Sequence, residues 1–425
     1  YYFYTLTNSC ILYTQEELEI NMKIKIGRIL LIILIIIAIG FAIGRLLAYI
    51  FLGNNAELPD NNIEGQEYNS AKDNSSEQEN NGSQQEDEKE DINEKIKEND
   101  EKEEPLSIVA VGDIMLGRGV ESRLKKQSLS YTHVFEKVAD LLKEGDVIFG
   151  NLEAAITDRT HGLTAYSKTN THGKFVLKSS TKSFEALKYA GFNMLSLANN
   201  HILDYYQEGL FDTIDILEEN GIAFSGAGRN LEEARKPAII EKNGLKIGLL
   251  SYTDFADIVY AGNPKISFAA GENKAGVAPI KYEHIKEDIA SIESEVDILM
   301  VSLHWGVEES FEILPSQVEL AHDLIDSGAD IILGHHPHQF QGMEVYKGKP
   351  IFYSLGNFIF DQNDPENQES FIINMQFAGT KLTAISATPV RTIDKIQVTP
   401  VFGDDAKQLL EREAELSSKL GTDFR

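Results

Sequence analysis

The sequence contains a single cysteine, Cys10, among its 425 residues, so no disulfide can form within the chain. No cysteine follows the apolar run near the N-terminus, which excludes a lipid anchor attached there. Basic residues are few, with 39 Lys and Arg against 67 Asp and Glu and a net charge of −28. Because no basic stripe or aromatic platform stands out, nucleic acid is not expected as a partner.

One long apolar run is present, Ile29–Gly44 continued by Leu46–Leu52, and it has the roughly 20 residues needed to cross a bilayer. Lys23, Lys25 and Arg28 precede this run. The excess of positive charge on that side predicts a cytoplasmic N-terminus, so the main domain is expected to be extracellular, attached to the cell membrane by one transmembrane helix.

A secretory signal peptide has the same order of basic and apolar residues, and Ala38 or Ala42 then lies near a cleavage site. The length of the run favours an uncleaved anchor over residues 22–53, since the core of a signal peptide has only about 7 to 15 residues. Met22 comes just before the basic residues, which indicates that translation starts there and that residues 1–21 are an upstream or non-native extension.

Residues 54–105 form an acidic segment with 18 Asp and Glu against 5 Lys, a net charge of −13. Such a composition cannot bury enough apolar surface to offset chain entropy, so a disordered linker is predicted. A flexible coil of this length averages roughly 40 Å from end to end, which could lift the following domain into the cell wall. Binding of a cation or a basic partner is the alternative role of this segment.

Residues 106–403 alternate short apolar runs with amphipathic helical patterns, which is typical of an α/β domain. Residues 404–425 are predicted to be a C-terminal helix and tail. The predicted strands are Ile108–Val111, Val147–Phe149, Met194–Leu197, Ile247–Leu250, Ile298–Leu303, Ile331–Leu333 and Ile351–Ser354, followed by an antiparallel meander of Phe371–Phe377, Lys381–Val390 and Lys395–Val401. The predicted helices are Val134–Leu142, Ser183–Tyr189, Glu208–Glu219, Glu283–Ile292, Val318–Ile325 and Ala406–Leu420.

Six apolar strands are followed by small or metal-binding polar residues. Open α/β sheets bind ligands at the carboxyl ends of their strands, so these side chains are expected to share one cleft. They are Asp113, Asn151, Glu153, Asn200, His201, His304, His335, His336, His338 and Asn357. Five of the ten histidines in the chain are among them.

Imidazole, carboxylate and amide groups together are a ligand set suited to zinc, manganese or iron. His336 and His338 are separated by one residue, Pro337, which stiffens the segment. In an extended segment both rings therefore point to one side and can share an ion. Gly112 and Gly150 precede two of the polar residues and allow either a sharp turn or a close approach to a ligand. A site that binds a polar substrate without metal is the alternative.

The motifs together resemble the CapA family of poly-γ-glutamate capsule synthesis proteins. The resemblance spans Ser107 to Asp361 and rests on motifs in the family's order: Gly-Asp113, Gly-Asn-Leu-Glu153, Asn-Asn-His201 with Asp204, His304-Trp-Gly, Gly-His-His-Pro-His338 and Tyr-Ser-Leu-Gly-Asn-Phe358. That family is similar to the calcineurin-like, metallophosphatase-like phosphoesterases. The resemblance therefore implies an α/β sandwich of two mixed β-sheets between helical layers, with a site for one or two divalent metal ions.

Roles follow from the resemblance residue by residue. It implies that Asp113 is the first metal-binding aspartate, that Asn151 stands at the bridging aspartate and that His201 is the general acid. The implied metal ligands are Asp113, Asn151, Glu153, Asn200, His304, His336 and His338, where Glu153 could supply the carboxylate that Asn151 lacks. The implied substrate-binding residues are Asn199, Asp204, Trp305, His335 and Asn357, although for Trp305 the favoured alternative is a core residue that seals the sheet edge.

Two departures from the phosphoesterase pattern bear on the function. Met115 stands where a metal-binding histidine is expected, and Asn151 removes the negative charge that would bridge two cations. The resemblance implies an outward-facing metal-dependent hydrolase or transferase in the synthesis or export of poly-γ-glutamate or a related anionic polymer, working with other membrane subunits. A non-catalytic polymer-binding component of an export assembly, and a phosphoesterase with another substrate, are the alternatives.

Overall fold

The computed structural model describes residues 104–163, 175–257, 259–260 and 266–422. The predicted extension at 1–21, the predicted membrane anchor at 22–53 and all but the last two residues of the predicted linker lie outside the described residues. None of the helices in the described part of the chain is long and apolar enough to cross a membrane.

The described residues form strands throughout the domain. In chain order they are β1 (Leu106–Ile114), β2 (Val147–Leu152), β3 (Ala155–Ile156), β4 (Lys178–Ser179), β5 (Met194–Ser196), β6 (Ala223–Ser225), β7 (Ala227–Gly228), β8 (Ala238–Lys242), β9 (Leu245–Thr253), β10 (Val259–Tyr260), β11 (Ile266–Ser267), β12 (Gly276–Val277), β13 (Ile298–His304), β14 (Ile331–His335), β15 (Met343–Tyr346), β16 (Lys349–Phe352), β17 (Asn357–Ile359), β18 (Glu369–Ala378), β19 (Lys381–Ile393) and β20 (Gln397–Pro400).

Helices lie between many of these strands. They are α1 (Arg118–Gln127), α2 (Ala139–Leu142), α3 (Phe184–Ala190), α4 (Tyr206–Glu219), α5 (Leu231–Arg235), α6 (Tyr282–Ile292), α7 (Pro315–Asp326) and α8 (Gly403–Ser418), with short 3-10 helices at Tyr131–Val134, Thr181–Ser183 and Pro365–Gln368.

Two mixed sheets organise the domain. The first sheet has the order β20-β19-β18-β1-β2-β5-β6, with β17 paired to β1, and the second sheet has the order β15-β16-β14-β13-β9-β8. Strands β1, β2, β5 and β6 run parallel to one another, as do β9, β13, β14 and β16. The late strands β18 to β20 are antiparallel because no helix separates them, as the sequence predicted.

The two sheets pack face to face with helices on their outer faces. In β1, Ile108 and Ala110 face the second sheet while Val109 and Val111 face helices, so both faces of this strand are apolar. Helices α1, α3 and α4 cover the first sheet, and α6 and α7 cover the second. The mixed α/β fold is therefore confirmed, and each fully buried large side chain contributes about 1.5–3 kcal/mol of transfer free energy to it.

The predicted helix Val134–Leu142 is wrong as a continuous element. The chain forms the 3-10 helix Tyr131–Val134, a turn, and only then α2. Phe135 stacks on Phe358 with ring centroids 5.4 Å apart and also contacts Phe192, so tertiary packing fixes this turn against the helical pattern. Helix α1 was not predicted, because Gly117 and Gly119 and a run of charged residues hide its apolar positions.

Helix α8 contacts both sheets. Its Ser417 hydroxyl accepts a hydrogen bond from the backbone of Met343 in the second sheet, at 2.8 Å. Its Arg412 pairs with Glu369 of the first sheet, at 2.8 Å. Although predicted as a charged surface helix, α8 therefore also ties the two sheets together through β15 and β18.

Candidate functional site

The predicted site residues come together where the carboxyl ends of strands from both sheets meet. In the first sheet, Asp113 pairs in register with Asn151 of the next strand. In the second sheet, His304 pairs with His335. The structure brings all six predicted segments to this place, from both of the mixed sheets that the resemblance implies. Asn357, predicted to follow a strand, instead begins β17, which pairs with β1 beside Asp113.

The carboxylate of Asp113 lies at the centre of the cluster and is fully buried. Its Oδ1 atom accepts hydrogen bonds from Asn151 Nδ2 at 2.8 Å and from His335 Nδ1 at 3.0 Å. Its Oδ2 atom accepts one from the backbone of His336 at 3.3 Å and lies 3.6 Å from His338 Nδ1. Asp113 thus joins the first sheet to the histidines of the second.

The imidazole of His304 is held between amides and a second imidazole. Its Nε2 atom lies 3.0 Å from Asn200 Oδ1 and 3.1 Å from His336 Nδ1, and its Nδ1 atom lies 3.3 Å from Asn151 Nδ2. Close nitrogen and oxygen contacts of this kind, gathered around one ring, are the arrangement of a ligand cluster. The contact between His304 and Asn200 also connects β13 of the second sheet to the loop after β5 of the first.

His336 and His338 reach the site through an unusual backbone. The φ angles are 97° at His336 and 60° at His338, so the predicted extended segment is wrong. Their ring centroids are nevertheless 5.9 Å apart, which keeps both imidazoles at the cluster. Positive φ at a non-glycine residue is strained, and such strain is concentrated at functional sites. The conformation holds the two rings close without strand alternation.

Two overlapping sets of side chains could hold a metal ion. Glu153, His304 and His336 form one set, Asp113, Glu153 and His338 form the other, and within each set the ligand atoms lie within 4.8 Å of one another. All five residues are buried. Glu153 belongs to both sets, so its carboxylate lies between the two positions.

Burial and neighbouring charges set the protonation of these groups. Burial raises the pKa of Asp113, but the hydrogen bonds from His335 and His338 outweigh it and hold the pKa well below its usual value. Burial lowers the pKa of His304 well below its usual value, against the attraction of Asp113. Burial also lowers the pKa of His338, yet the hydrogen bond and charge of Asp113 raise it overall. Ionised Asp113 and neutral His304 are the forms that bind metal.

His201 is paired with Asp204 at the rim of the cluster. Its Nδ1 atom lies 2.7 Å from Asp204 Oδ2, and both side chains are buried. The same carboxylate oxygen accepts the backbone N–H of Leu177 at 2.7 Å, which fixes its position. A carboxylate on one ring nitrogen orients the imidazole and sets its tautomer, as a proton donor requires.

The residues predicted to bind substrate use their polar atoms mainly to build the site. Asn199 donates to Leu152 O at 2.8 Å and accepts from the backbone of His201 at 3.1 Å. Asn357 Oδ1 lies 2.9 Å from His338 Nδ1. The contact of His335 with Asp113 is of the same kind. Substrate contact by Asn199, Asp204, His335 and Asn357 stays a prediction.

Trp305 lies in the core of the second sheet rather than in the cleft. It is 2% exposed, its indole N–H donates to Tyr353 O at 3.0 Å, and its ring stacks on that of Tyr353. The predicted alternative of a core residue is the one that these contacts match. Met115 is likewise a core residue and is fully buried among apolar side chains of the first sheet.

At each of the two positions that precede polar site residues, glycine is required for a different reason. A Cβ atom at Gly112 would lie 1.9 Å from the carbonyl oxygen of Gly356, so only glycine allows β1 to approach the loop before β17. A Cβ atom at Gly150 would meet Ile114 and Phe192 in the apolar core. Both positions are therefore set by close packing.

Sequence reasoning missed Phe255, which follows β9. Its ring lies 3.9 Å from the ring of His336 and 5.8 Å from that of His304, measured between centroids. The available signal was the end of β9, where Ser251-Tyr-Thr-Asp-Phe255 repeats the pattern of an apolar strand followed by polar residues. Phe255 closes one side of the cluster and limits the access of water to these imidazoles.

Comparisons with known proteins agree with this geometry. Residues 107–362 match the family model described as the bacterial capsule synthesis protein PGA_cap. The chain is 33% identical over 307 residues to the PGA biosynthesis protein CapA of Bacillus subtilis (strain 168), covering 72% of this chain and 76% of that protein. It is 32% identical over 295 residues to the capsule biosynthesis protein CapA of Bacillus anthracis, covering 68% and 67%.

A more distant relative covers a larger part of its own length. It is a probable polyglutamine synthesis accessory protein of Mycobacterium tuberculosis (strain ATCC 25618 / H37Rv), 26% identical over 366 residues, with 74% of this chain and 92% of that protein covered. The matched residues 107–362 contain every residue of the cluster described above.

Proposed function

The chain belongs to the CapA family of bacterial capsule synthesis proteins, within the metallophosphatase-like superfamily, and we propose that it acts in the synthesis or export of poly-γ-glutamate or a related anionic surface polymer. In this proposal, residues 22–53 anchor the chain in the cell membrane and the domain works outside the cell. The basic residues before the long apolar run and the acidic segment after it support that arrangement.

The single observation that carries the proposed chemistry is the buried cluster of carboxylates and imidazoles. Asp113, Glu153, His304, His336 and His338 offer mixed oxygen and nitrogen ligands within 4.8 Å in two sets. This donor set fits a divalent ion such as zinc, manganese or iron. When bound, such an ion polarises a carbonyl or phosphoryl oxygen and lowers the pKa of water.

The remaining residues bind, orient and transfer a proton. Asn200 and Asn151 hold the ring of His304, and His335 holds the carboxylate of Asp113. His201, oriented by Asp204, is the candidate proton donor to the leaving group at a hydrolase or transferase site. Phe255 packs on His336 and excludes water from that side.

Glu153 replaces the carboxylate that Asn151 lacks. Asn151 donates to Asp113 and is neutral, so it cannot bridge two cations. Glu153 comes from the same strand end and belongs to both ligand sets. We therefore assign the shared ligand position to Glu153, with Asn151 as a positioning residue for Asp113 and His304.

Elemental analysis of the purified full-length protein, in detergent and with zinc, manganese and iron supplied, tests this proposal. Bound metal is expected in the wild type and in the control variant His322→Ala, whose ring lies on α7 beside Glu344. Glu153→Gln is expected to lose the metal, and cells that carry it as their only copy are expected to lose surface polymer. Metal retained in Glu153→Gln would contradict the assignment of the shared ligand.

The neutral Asn151 and the burial of Met115 favour a second candidate, a non-catalytic component that holds the polymer in the cleft. Both residues reduce the number of ligands relative to a full two-metal site. This candidate predicts a metal-free wild type and normal polymer yield from His201→Ala. The two functions therefore give opposite results in the same measurements.

A further inference from the structure

A second feature of the cleft, outside the ligand cluster, is the arginine that follows β1. Arg118 lies four residues after Ile114, the last residue of β1, and begins α1. Its guanidinium lies 5.1 Å from the centre of the Phe175 ring and 5.8 Å from that of Phe360. Its side chain is 30% exposed, so it is open to solvent on one side.

Two lines of contact link Arg118 to the ligand cluster and its neighbours. Phe360, which lies under the guanidinium, packs against His338 with ring centroids 4.9 Å apart. Phe175, on the other side, is two residues before Leu177, whose backbone N–H donates to Asp204. Arg118 therefore lies between the ligand His338 and the His201–Asp204 pair.

The surrounding chain is built to hold this arginine. Arg118 has a φ of 47°, in the left-handed region that non-glycine residues rarely adopt. Its Nε and Nη2 atoms both donate to the carboxylate of Asp361. The backbone of Gly119 donates to the same carboxylate at 2.9 Å, and a Cβ atom at Gly119 would lie 2.4 Å from it. Strain, glycine and ion pair together fix one orientation.

Among the described residues, one nitrogen of the guanidinium has no hydrogen-bond partner. Arg118 Nη1 makes no hydrogen bond to any residue in the described part of the chain, whereas Nε and Nη2 are both used by Asp361. A guanidinium held in this way presents N–H donors and positive charge to an oxyanion. The loops on the second-sheet side of the cleft carry Asp254 and Glu309, whose backbones bond to His304 and Pro337. An anionic group would avoid that side.

We propose that Arg118 anchors the substrate by binding one of its oxyanions, a side-chain carboxylate of the polymer, beside the ligand cluster. Asp361 is the positioning residue for this arginine. The inference rests on the proposed function, because it takes the substrate to be an anionic polymer. It explains how a domain with an acidic surface can hold a polyanion, since the attraction is local and directed.

The test is calorimetric titration of the full-length protein in detergent, metal-replete and at constant ionic strength. A γ-linked glutamate oligomer and inorganic phosphate are used as separate probes. Arg118→Gln is expected to weaken binding of the oligomer about tenfold or more, and Arg118→Lys, which keeps the charge without the fork, by less. Lys126→Gln removes the same charge from the exposed part of α1 and is expected to change affinity less than about twofold.

Asp361→Asn separates anchoring from diffuse attraction. If Arg118 must be held in place, this variant binds the oligomer more weakly, although it has lost a negative charge. Tighter binding by Asp361→Asn, or equal weakening by Lys126→Gln and Arg118→Gln, would overturn the inference. So would unchanged affinity in Arg118→Gln, or no saturable binding of the oligomer by the wild type.

Phosphate bound through Arg118 without any binding of the glutamate oligomer would overturn the carboxylate assignment and favour a phosphoester substrate. Metal content distinguishes these failures from a failure of the proposed function. Arg118 is not among the ligand residues, so Arg118→Gln is expected to keep its metal, which also reports that the variant is folded. A wild-type protein that binds no metal would instead count against the proposed function.

Discussion

The two sheets contribute different chemistry to one cleft. The first sheet brings the carboxylates and amides, Asp113, Asn151, Glu153 and Asn200, from the ends of β1, β2 and β5. The second sheet brings imidazoles, His304 and the histidines that follow β14. Neither sheet alone offers a mixed ligand set, so the site exists only while the sheets keep their relative position.

Contacts across the boundary show how the halves are aligned. Asp113 of the first sheet bonds to His335 of the second at 3.0 Å, and Asn200 bonds to His304 at 3.0 Å. Because these groups are buried, each contact is both a ligand-orienting bond and a bond between sheets. Asp113 and His304, which join the two sheets, are therefore also members of the sets of side chains that could hold a metal ion.

The largest effect is expected from removing a ligand on either side. Asp113→Asn changes the first sheet and His304→Ala the second, and each is expected to abolish bound metal. Each removes a member of one ligand set, and each residue also contacts a member of the other set: Asp113 accepts the backbone N–H of His336, and His304 lies 3.8 Å from the shared Glu153. Elemental analysis of the full-length variants measures this. If one of the two variants kept its full metal content, the ligands of one sheet would be sufficient to bind metal. The site would then not depend on both sheets.

Removing the candidate proton donor should leave both halves intact. His201→Ala is expected to lower turnover of the polymer about 10²- to 10⁴-fold without loss of metal, because its ring bonds to Asp204 and belongs to neither ligand set. Polymer production in cells and metal content of the purified protein are the two measurements. Wild-type polymer yield would remove His201 from the mechanism.

A matched pair of core variants separates packing between the sheets from packing against helices. Leu333 faces the first sheet and Ile332 faces the helices, and both are fully buried in β14. Leu333→Ala and Ile332→Ala are each expected to cost about 2–5 kcal/mol in the free energy of unfolding, measured with urea.

Only Leu333→Ala is expected to weaken metal binding, by about tenfold. Leu333 and His335 lie two residues apart on the same face of β14, so a cavity at Leu333 lets that ring shift from Asp113. Equal loss of metal affinity in both variants would mean that general stability, rather than alignment of the sheets, controls the site.

The smallest effect concerns α8, which contacts both sheets. Burial raises the pKa of Glu413 above its usual value, against a hydrogen bond from Ser417. Because the pKa of Glu413 is raised in the folded state, its carboxyl contributes fully to the free energy of unfolding below the unfolded pKa of about 4.3. This contribution is lost as the pH rises through the folded pKa.

Glu413→Gln is therefore expected to raise the free energy of unfolding at pH 8 by up to about 1 kcal/mol, with little gain at pH 4. Urea unfolding at the two pH values measures the difference. Glu415→Gln, on the exposed face of α8, is the control and should show no such pH dependence. An equal gain at both pH values would show that ionisation of Glu413 is not the cause.

The sequence predicts strands and their ends better than it predicts their assembly. Apolar runs such as Ile298–Leu303 identify buried strands, and the polar residues behind them identify the cleft. Periodicity does not state which sheet a strand joins, so two sheets and the pairing of Asn357 with Asp113 could not be derived from it. The backbone of His336 and His338 depends on long-range contacts, and no local pattern indicates positive φ there.

Some features were hidden because their signals are weak or distant. Phe255 and Arg118 contact residues that are distant in the chain, such as His336 and Asp361, and such proximity cannot be seen in a single sequence. The membrane anchor and the extracellular location remain predictions from composition. That Met115 replaces a metal-binding histidine stays a prediction; the structure places it just after the end of β1, buried in the apolar core.

Strand β1 also determines how the domain withstands a mechanical load. It lies inside the first sheet, with β18 paired along one side and β2 along the other. Tension transmitted by the chain before Leu106 would pull along this strand, and the hydrogen bonds on both flanks would then be sheared together rather than opened one by one. The strand that carries Asp113 is therefore held on both flanks against a pull applied at its N-terminal end.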